Sequence, residues 1–257
     1  MSNKKDTFFG TMLIVLIVCL VCSIIVSGSA VGLRSLQKAN KIADTQKNIL
    51  AVAGISSDRT MKDIFATNIK AKLVDLKTGK FVKGDDIATY EQRKAAKLPA
   101  KSIKLTAKQD VAKIGRRANV AKIYLVYDNQ HKLQRIILPV HGAGLWSTMY
   151  AFVALKPDGN TVLGITYYDQ AETPGLGGEV ENPRWTALWV GKKLFNKKGD
   201  IAIKVIKGHA PKNAVHEVDG LAGATLTSDG VENTFLFWLG KNGFGPFLSN
   251  VRAGVLK

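Results

Sequence analysis

The chain has 257 residues, of which 37 are Lys or Arg, 20 are Asp or Glu, four are His and two are Cys. This length accommodates one large domain or two small ones. A hydrophobic content of 46% excludes wholesale disorder, and two cysteines exclude a disulfide-rich scaffold. The net charge of +17 indicates an anionic partner: nucleic acid, anionic lipid or a phosphate-bearing cofactor.

An uncharged stretch begins at Thr7 and ends at Leu33. It exceeds the ~20 residues that an α-helix needs to cross a bilayer. The alternative is a cleaved signal peptide with a cleavage site at Gly28-Ser29-Ala30, but the apolar part of such a peptide is normally shorter. We therefore predict a tail and an uncleaved single-pass anchor at residues 1–33. The basic residues on both sides of the span leave its orientation open.

Both cysteines, Cys19 and Cys22, lie inside this uncharged stretch. Their spacing resembles a metal or redox pair, but no second pair and no nearby histidine completes such a site. We interpret them as packing residues of the anchor. Because no cysteine follows, the rest of the chain cannot supply thiolates to an iron–sulfur cluster or a zinc knuckle, and it has no catalytic thiol.

The positive charge is unevenly distributed. Residues 34–140 carry 23 basic and nine acidic side chains, whereas residues 141–257 carry 12 and ten. In the first of these regions the lysines alternate with acidic and apolar residues, and no nucleic-acid-binding motif accompanies them. We predict a solvated face, or a surface for lipid or partner subunits, and no binding of nucleic acid.

Residues 34–120 are predicted to form a membrane-proximal basic region of helices and a hairpin. A helix over Leu33–Ala53 should end at Gly54, and Ser57 or Asp58 should cap a second helix. Strands over 73–76 and 80–82 should form a hairpin around Lys77-Thr78-Gly79. Residues 84–118 are charged and weakly periodic, which indicates a helical excursion or an insert. The second helix should carry Met61, Ile64, Phe65 and Ile69 on one face.

Residues 121–257 are predicted to form the domain core. Asn182-Pro183 should begin a helix that continues through Trp189, and Thr227 or Ser228 should begin another that ends near Asn242-Gly243. Hairpins with isolated helices indicate an α+β fold with a largely antiparallel sheet and flanking helices. The predicted strands are 121–127, 133–138, 149–155, 162–168 and 201–206.

Familiar catalytic motifs are missing from the sequence. There is no P-loop, no H-E-x-x-H and no G-x-S-x-G. Gly142-Ala143-Gly144 begins a G-x-G pattern, but no βαβ unit follows it, so a dinucleotide-binding fold is excluded. The histidines have no carboxylate or cysteine neighbours at metal-binding spacing. We predict no catalytic residue and no metal site.

Three glycine-containing loops remain as candidates for a binding site: residues 139–147, 172–179 and 219–228. Glycine lets a backbone approach a ligand closely, and hydroxyl groups and amides bind phosphate. The third loop leads into a predicted helix, whose free N–H groups favour an anion. Each loop alone is more typical of an ordinary turn than of a binding site.

The third loop carries a recognisable pattern. Asp219-Gly220-x-x-Gly223-Ala224-Thr225-x-Thr227-Ser228 resembles the covalent flavin attachment sequence of the FMN-binding domain family. This resemblance implies that Thr225 carries FMN through a phosphoester bond. The loop Thr173-Pro174-Gly175-Leu176-Gly177 resembles the second motif of that family. With its anchor, the whole chain resembles the C subunits of sodium-translocating NADH:quinone oxidoreductases. The related G subunits of Rnf complexes are the alternative within the family.

If FMN is attached at Thr225, the neighbouring residues and the convergence of the three loops predict further contacts to the cofactor. Gly223 and Ala224 should leave space for the ribityl chain, and Thr227 should bind the phosphate oxygens. Asp219 should orient the loop or guide the enzyme that attaches the flavin. The remaining candidates are Leu226, beside the attachment site, and Leu145, Trp146, Thr173, Leu176 and Gly177, around the ring, with Glu172 as a nearby polar group.

The resemblance also implies a function and a location. The chain would relay electrons from an iron–sulfur centre to another flavin-bearing subunit, while NADH and quinone react elsewhere in the complex. The soluble domain would face the periplasm from the bacterial inner membrane, in contact with lipid and the other subunits, after modification by a flavin transferase. Two other classes remain open: a membrane-tethered assembly or binding factor without flavin, and a flavin transferase, although no acidic metal cluster is visible.

Overall fold

One long helix, α1 (Phe8–Ala53), contains the predicted anchor. In this computed structural model, residues 8–54, 60–82 and 87–255 are described. The apolar part of α1 is Phe8–Gln37, which is long and apolar enough to cross a membrane and is not buried within the structure. Both cysteines lie in this part and are exposed. The chain divides into two compact units, of which the first ends at Thr45 and the second begins at Gln46.

The end of α1 and the start of α2 (Met61–Asn68) are set by local chemistry. Gly54 follows α1 with φ +56°, a conformation that favours glycine, and the predicted helix end is therefore confirmed. The predicted caps Ser57 and Asp58 lie outside the described residues. The cap of α2 is Thr60, whose hydroxyl accepts a hydrogen bond from the N–H of Asp63.

Five antiparallel strands form the main sheet, in the spatial order β1-β4-β5-β6-β7. The strands are β1 (Ile69–Asp75), β4 (Val120–Tyr127), β5 (Leu133–Ala143), β6 (Thr148–Leu155) and β7 (Val162–Asp169). The α+β prediction with a largely antiparallel sheet is thus confirmed. Ile69, predicted to lie on the face of the second helix, is instead the first residue of β1.

Alternating side chains of the sheet contribute to two separate hydrophobic clusters. In β5, Ile136 and Leu138 belong to a cluster that includes Phe235 of a later helix, α5. Ile137, between them, belongs to a second cluster with Ile49 and Val52 from the last turns of α1. The sheet is therefore covered on both faces, and its central strands are buried on both sides.

Residues between β1 and β4 form a small insert rather than a helical excursion. Its elements are α3 (Gln92–Lys97), a 3₁₀ turn (Pro99–Lys101) and the antiparallel pair β2 (Ser102–Lys104) and β3 (Arg116–Ala118). The predicted hairpin around residues 77–79 is shorter than expected. In place of the predicted second strand of this hairpin there is a single antiparallel bridge between Phe81 and Val74. The strand β1 pairs along its whole length with β4 instead.

Short elements follow β7. The helix α4 (Pro183–Ala187) begins as predicted, since the side chain of Asn182 accepts a hydrogen bond from the N–H of Arg184, but it ends before Trp189. The predicted strand 201–206 is reduced to β8 (Lys204–Ile206). It pairs in parallel with β9 (Glu217–Asp219), a pairing that the sequence did not indicate.

Two helices complete the chain, α5 (Thr225–Leu239) and α6 (Gly245–Arg252). The helix α5 begins two residues before the predicted Thr227. The hydroxyl of Ser228, the other predicted cap, instead accepts a hydrogen bond from the N–H of Leu221 from inside the first turn. The helix ends at Leu239 rather than near residue 242. We did not predict α6.

The predicted domain boundaries at 33/34 and 120/121 do not coincide with the division between the compact units. Residues 34–45 belong to the first unit together with the apolar part of α1. The strand β1, from the predicted membrane-proximal region, is hydrogen-bonded along its whole length to β4 of the predicted core. The sheet therefore joins the regions on either side of residue 120.

Candidate functional site

Three loops meet at the carboxylate of Glu172. Its Oε1 accepts hydrogen bonds from the backbone N–H groups of Trp146 (2.9 Å) and Ser147 (3.0 Å). Its Oε2 accepts one from the N–H of Leu145 (3.1 Å) and one from the hydroxyl of Thr227 (2.8 Å), in the first turn of α5. A side chain of the second loop thus joins the first loop to the third.

The first loop is the turn from β5 to β6. The strand β5 continues to Ala143, farther than predicted, and the N–H of Gly144 then donates to the carbonyl of Ser147 (2.7 Å). Within this turn the side chain of Leu145 is exposed, and that of Trp146 is 71% exposed. The turn therefore presents two apolar side chains to solvent while its backbone N–H groups point to Glu172.

The second loop is closed by its own backbone. The carbonyl of Thr173 accepts hydrogen bonds from the N–H groups of Leu176 (3.1 Å) and Gly178 (3.0 Å). A Cβ on Gly177 would lie 2.6 Å from the hydroxyl oxygen of Thr227, so only glycine permits this approach between the second and third loops. The side chain of Leu176 is exposed.

The third loop places Thr225 at the first position of α5, where it is exposed. Gly223, with φ +71°, turns the chain into the helix, and a Cβ there would lie 3.0 Å from Leu176 Cδ2. The hydroxyl of Ser228 donates to the carbonyl of Ala224 (3.1 Å) and thereby fixes the first turn. The next side chain after Thr225, Leu226, is also exposed. Thr225 thus lies exposed at a helix N-terminus, next to Leu226 in the chain and two residues after Gly223, which Leu176 approaches.

Asp219 holds the base of the third loop. Its Oδ1 accepts a hydrogen bond from the N–H of Ala210 (2.8 Å), its Oδ2 lies 2.7 Å from His209 Nδ1, and its carbonyl accepts one from Trp185 Nε1 (2.8 Å). Burial raises the pKa of the Asp219 carboxyl, but the hydrogen bonds from His209 and Ala210 outweigh that effect and lower it. These groups are all partners within the protein, which indicates that Asp219 shapes the loop.

Sequence reasoning did not single out two residues that build this site. Ser147 donates from its hydroxyl to Glu172 Oε1 (3.2 Å) and accepts from the N–H of Ala171 (2.8 Å). Gly144 is enclosed by the same carboxylate, since a Cβ there would lie 2.5 Å from Oε1. The only sequence signal for these two residues was their position in the first loop. Their contacts with Glu172 could not be predicted, because only the folded chain brings that loop to the carboxylate.

No group of three or more His, Cys, Asp or Glu residues is placed to hold a metal ion within residues 8–54, 60–82 and 87–255. A separate cavity of about 450 Å³ contains none of the predicted site residues. Its lining includes Phe195, Lys241, Ser249 and Arg252.

Residues 144–240 match the FMN-binding domain family. The match begins at Gly144 and ends at Gly240, so it includes the turn that presents Leu145 and Trp146, the second loop and the whole of α5. The residues through which the three loops meet at Glu172, from Leu145 to Thr227, therefore lie in the part of the chain that this family covers.

Full-length relatives identify the family of the whole chain. The C subunit of the Na(+)-translocating NADH-quinone reductase of Vibrio anguillarum is 58% identical over 256 residues, and the match covers 100% of both chains. The corresponding protein of Vibrio vulnificus is 61% identical over 254 residues, with 98% of this chain and 99% of the relative covered. The chain belongs to the family of C subunits of Na(+)-translocating NADH-quinone reductases. Relatives in this family match the anchor as well as the FMN-binding domain.

Solved structures of such C subunits share the fold. The crystal structure of Shewanella oneidensis NqrC is 39% identical, with a TM-score of 0.78, and the match covers 84% of this chain and 99% of that one. The C subunit from Parabacteroides distasonis is 29% identical with a TM-score of 0.65, over 84% of this chain and 97% of that one. The fold of the FMN-binding domain is thus shared with experimentally determined members of the family.

Proposed function

We propose that this chain is the electron carrier of its reductase complex and that FMN is attached to Thr225 by a phosphoester bond. The exposure of Thr225 at the first position of α5 carries this proposal. The first N–H groups of an α-helix have no intrahelical acceptors, and with the helix dipole they favour a phosphate at that position. The fifteen residues of α5 provide a full helix for this effect.

The surroundings of Thr225 fit the rest of an FMN molecule. Gly223 has no side chain to obstruct a ribityl chain, and Ala224 has only a methyl group. Each of the three loops that meet at Glu172 has exposed apolar side chains, which would contact an isoalloxazine ring, itself largely apolar. These side chains are Leu145, Trp146, Leu176 and Leu226.

FMN supplies the capacity to take up and release electrons when it is bound. The N-terminus of α5 would hold the phosphate of the cofactor. The exposed apolar side chains of the three loops would orient its ring. The chain would therefore relay electrons between an iron–sulfur centre and another flavin-bearing subunit, whereas NADH and quinone react on other subunits. Its relatives' membership of a sodium-translocating reductase favours this role over the Rnf-type alternative.

Peptide mass measurement tests the attachment. Trypsin releases residues 213–241, which contain Thr225 and Thr227. We expect this peptide from the native chain to carry an added mass equal to FMN minus one water, with fragmentation that places it on Thr225. Thr225→Ala should abolish the addition, whereas Thr225→Ser, which keeps a hydroxyl, should retain it. An unmodified wild-type peptide, or a modified Thr225→Ala peptide, would contradict the proposal.

We infer further that the FMN-binding domain faces the periplasm, where a flavin transferase would modify it and where lipid and the other subunits surround it. Ser249 is exposed on α6, and removal of Cys19 and Cys22 leaves the chain without thiols. In that background, Ser249→Cys should react with an impermeant maleimide in intact spheroplasts. Ser2→Cys, before the span, should react only after lysis. The reverse pattern would place the domain in the cytoplasm.

A further inference from the structure

Glu172 is a buried carboxylate in the second loop, which contacts the first turn of α5. Only 5% of the residue is exposed, and Thr227, its partner on α5, is 1% exposed. The two carboxylate oxygens accept three backbone N–H groups, of residues 145, 146 and 147, and two hydroxyl groups, of Ser147 and Thr227. Among the residues that the structure describes, these donors are all neutral dipoles, and none is a Lys or Arg side chain.

The backbone around this carboxylate is adapted to it. A Cβ on Gly144 would lie 2.5 Å from Oε1, and a Cβ on Gly177 would lie 2.9 Å from Oε2. Either methyl group would force the carboxylate to move. Glycines from the first and second loops therefore enclose Glu172, while Thr227 meets it from the third.

Burial of a charge without a cation is unfavourable unless hydrogen bonds compensate it. Burial raises the pKa of the Glu172 carboxyl, but the hydrogen bonds from Thr227 and from the 145–147 backbone have the larger combined effect and lower it. Glu172 is therefore ionised at neutral pH, and its negative charge is fixed beneath the loops. An apolar side chain of similar size would fill the space but could not accept hydrogen bonds from three loop N–H groups.

We propose that Glu172 is the positioning residue of the flavin site: its carboxylate holds the Leu145–Ser147 turn against the first turn of α5, and so fixes the apolar ring contacts relative to Thr225. The proposal rests on the attachment of FMN at Thr225. Thr227 is two residues beyond the attachment point, so its hydrogen bond to Glu172 fixes the turn from which Thr225 projects. The N–H groups of Leu145 and Trp146 fix the backbone from which two exposed apolar side chains project. Glu172 itself is enclosed by protein and acts through these neighbours.

Glu172→Gln is the decisive variant because it keeps the shape of the side chain while removing the charge and half of its acceptors. A glutamine amide has one acceptor oxygen, and its NH₂ group replaces the second carboxylate oxygen. That NH₂ group would face N–H or O–H donors and could not accept hydrogen bonds from them. Glu232→Gln is the matched control, since the Glu232 carboxylate also holds a backbone N–H, that of Val205 (2.8 Å), but faces β8. Thr227→Val removes only the link to α5.

The first readout is amide hydrogen exchange of the 145–147 segment, measured on the full chain in the Thr225→Ala background, which contains no attached flavin. We expect exchange to accelerate about tenfold in Glu172→Gln, which corresponds to a local loss of ~1.4 kcal/mol, and more in Glu172→Ala. Glu232→Gln should leave this segment unchanged. Unchanged exchange in both Glu172 variants would overturn the proposal.

The second readout is the visible circular dichroism and the midpoint potential of the flavin on the full chain with Thr225 intact. Glu172→Gln should change the dichroism, because the ring contacts are no longer fixed, and should raise the potential, because reduction adds negative charge near a fixed negative charge. Thr227→Val should change the dichroism but shift the potential less, since the charge remains. Wild-type dichroism and potential in Glu172→Gln would show that the residue is only structural. A wild-type chain without flavin on Thr225 would refute the attachment while leaving the exchange result to decide the role of Glu172 in the loops.

Discussion

The carbonyl oxygen of Ala143 occupies the space that a side chain of Gly230 would need. A Cβ on Gly230 would lie 2.3 Å from this oxygen and 3.1 Å from the Cα of Gly144. Gly230 is inside α5, and Ala143 is the last residue of β5. The close approach of this helix to the end of this strand brings Thr225 and the Leu145–Ser147 turn to the same region, so it underlies the geometry of the candidate site.

Gly230→Ala is therefore expected to destabilise the domain. In a helix with free space, Ala is more favourable than Gly by ~1 kcal/mol. Here the added methyl group overlaps backbone atoms, and the shift that relieves the overlap should cost about 1–3 kcal/mol. Denaturant unfolding followed by tryptophan fluorescence measures the change. The exposed neighbour Asp229→Ala is the control, and a Gly230→Ala chain as stable as the wild type would contradict the close approach.

Trp146→Ala should change the fluorescence of the attached flavin without changing the stability of the domain. The side chain is 71% exposed, so its removal should change the free energy of unfolding by less than ~0.5 kcal/mol. Because a tryptophan in contact with a flavin quenches its fluorescence by electron transfer, the emission of the attached flavin should increase. Leu98→Ala, an exposed apolar side chain in the insert, should change neither quantity. Wild-type flavin emission in Trp146→Ala would place the ring elsewhere.

The strands of the main sheet were predictable because their signals are local. Predominantly apolar runs bounded by turn residues mark β4, β6 and β7, and the turn before β7 has a sequence that fixes its own structure. Asp158 Oδ1 accepts hydrogen bonds from the N–H groups of Asn160 (2.8 Å) and Thr161 (2.9 Å). The parallel pairing of β8 with β9 was not predictable, since each strand has three residues and the register depends on the fold around them.

The candidate site also has a part that could be predicted from local sequence and a part that could not. The glycine-rich pattern around Thr225 is local and visible in the sequence. The role of Glu172 depends on residues 25 to 55 positions away, from Ser147 to Thr227, and only the folded chain brings them together. The helix α6 was missed because Gly243 and Gly245-Pro246 are typical of a helix end, whereas here Pro246 stands in the first turn of a new helix.

Arg93 is expected to contribute more to stability than its ion pair alone. Its guanidinium lies 2.5 Å from Asp169 Oδ2 and is centred 3.3 Å from the ring centroid of Tyr150. The ion pair is partly exposed, so Asp169→Asn should cost less than ~1 kcal/mol. Arg93→Ala also removes the contact with the ring and should cost ~1–2 kcal/mol. Unfolding of both single variants and the double variant measures the two contributions, and equal costs for the single variants would contradict a role for Tyr150.

His141 should make the domain less stable as the pH falls below neutrality. Its imidazole is stacked on Tyr150 and lies 5.0 Å from the ring of Trp238, and Arg93 also lies against the ring of Tyr150. Burial, and secondarily the positive charge of Arg93, lower the pKa of His141 to about 4. The unfolded chain, with a pKa near 6.5, therefore binds more protons between pH 6.5 and pH 4, and folding stability decreases as the pH falls through that range.

The expected loss from this residue is about 2 kcal/mol between pH 7 and pH 5, since each pKa unit of difference corresponds to ~1.4 kcal/mol. Unfolding free energies at pH 7, 6 and 5 measure it. His141→Asn should reduce the pH dependence by this amount, because the imidazole that resists protonation in the folded state is gone. His131→Asn, at an exposed turn with φ +59° that Asn tolerates, is the matched control for the loss of an imidazole. If His141→Asn kept the full slope, the acid sensitivity would belong to other groups, and the imidazole would be protonated in the folded domain as readily as in the unfolded chain.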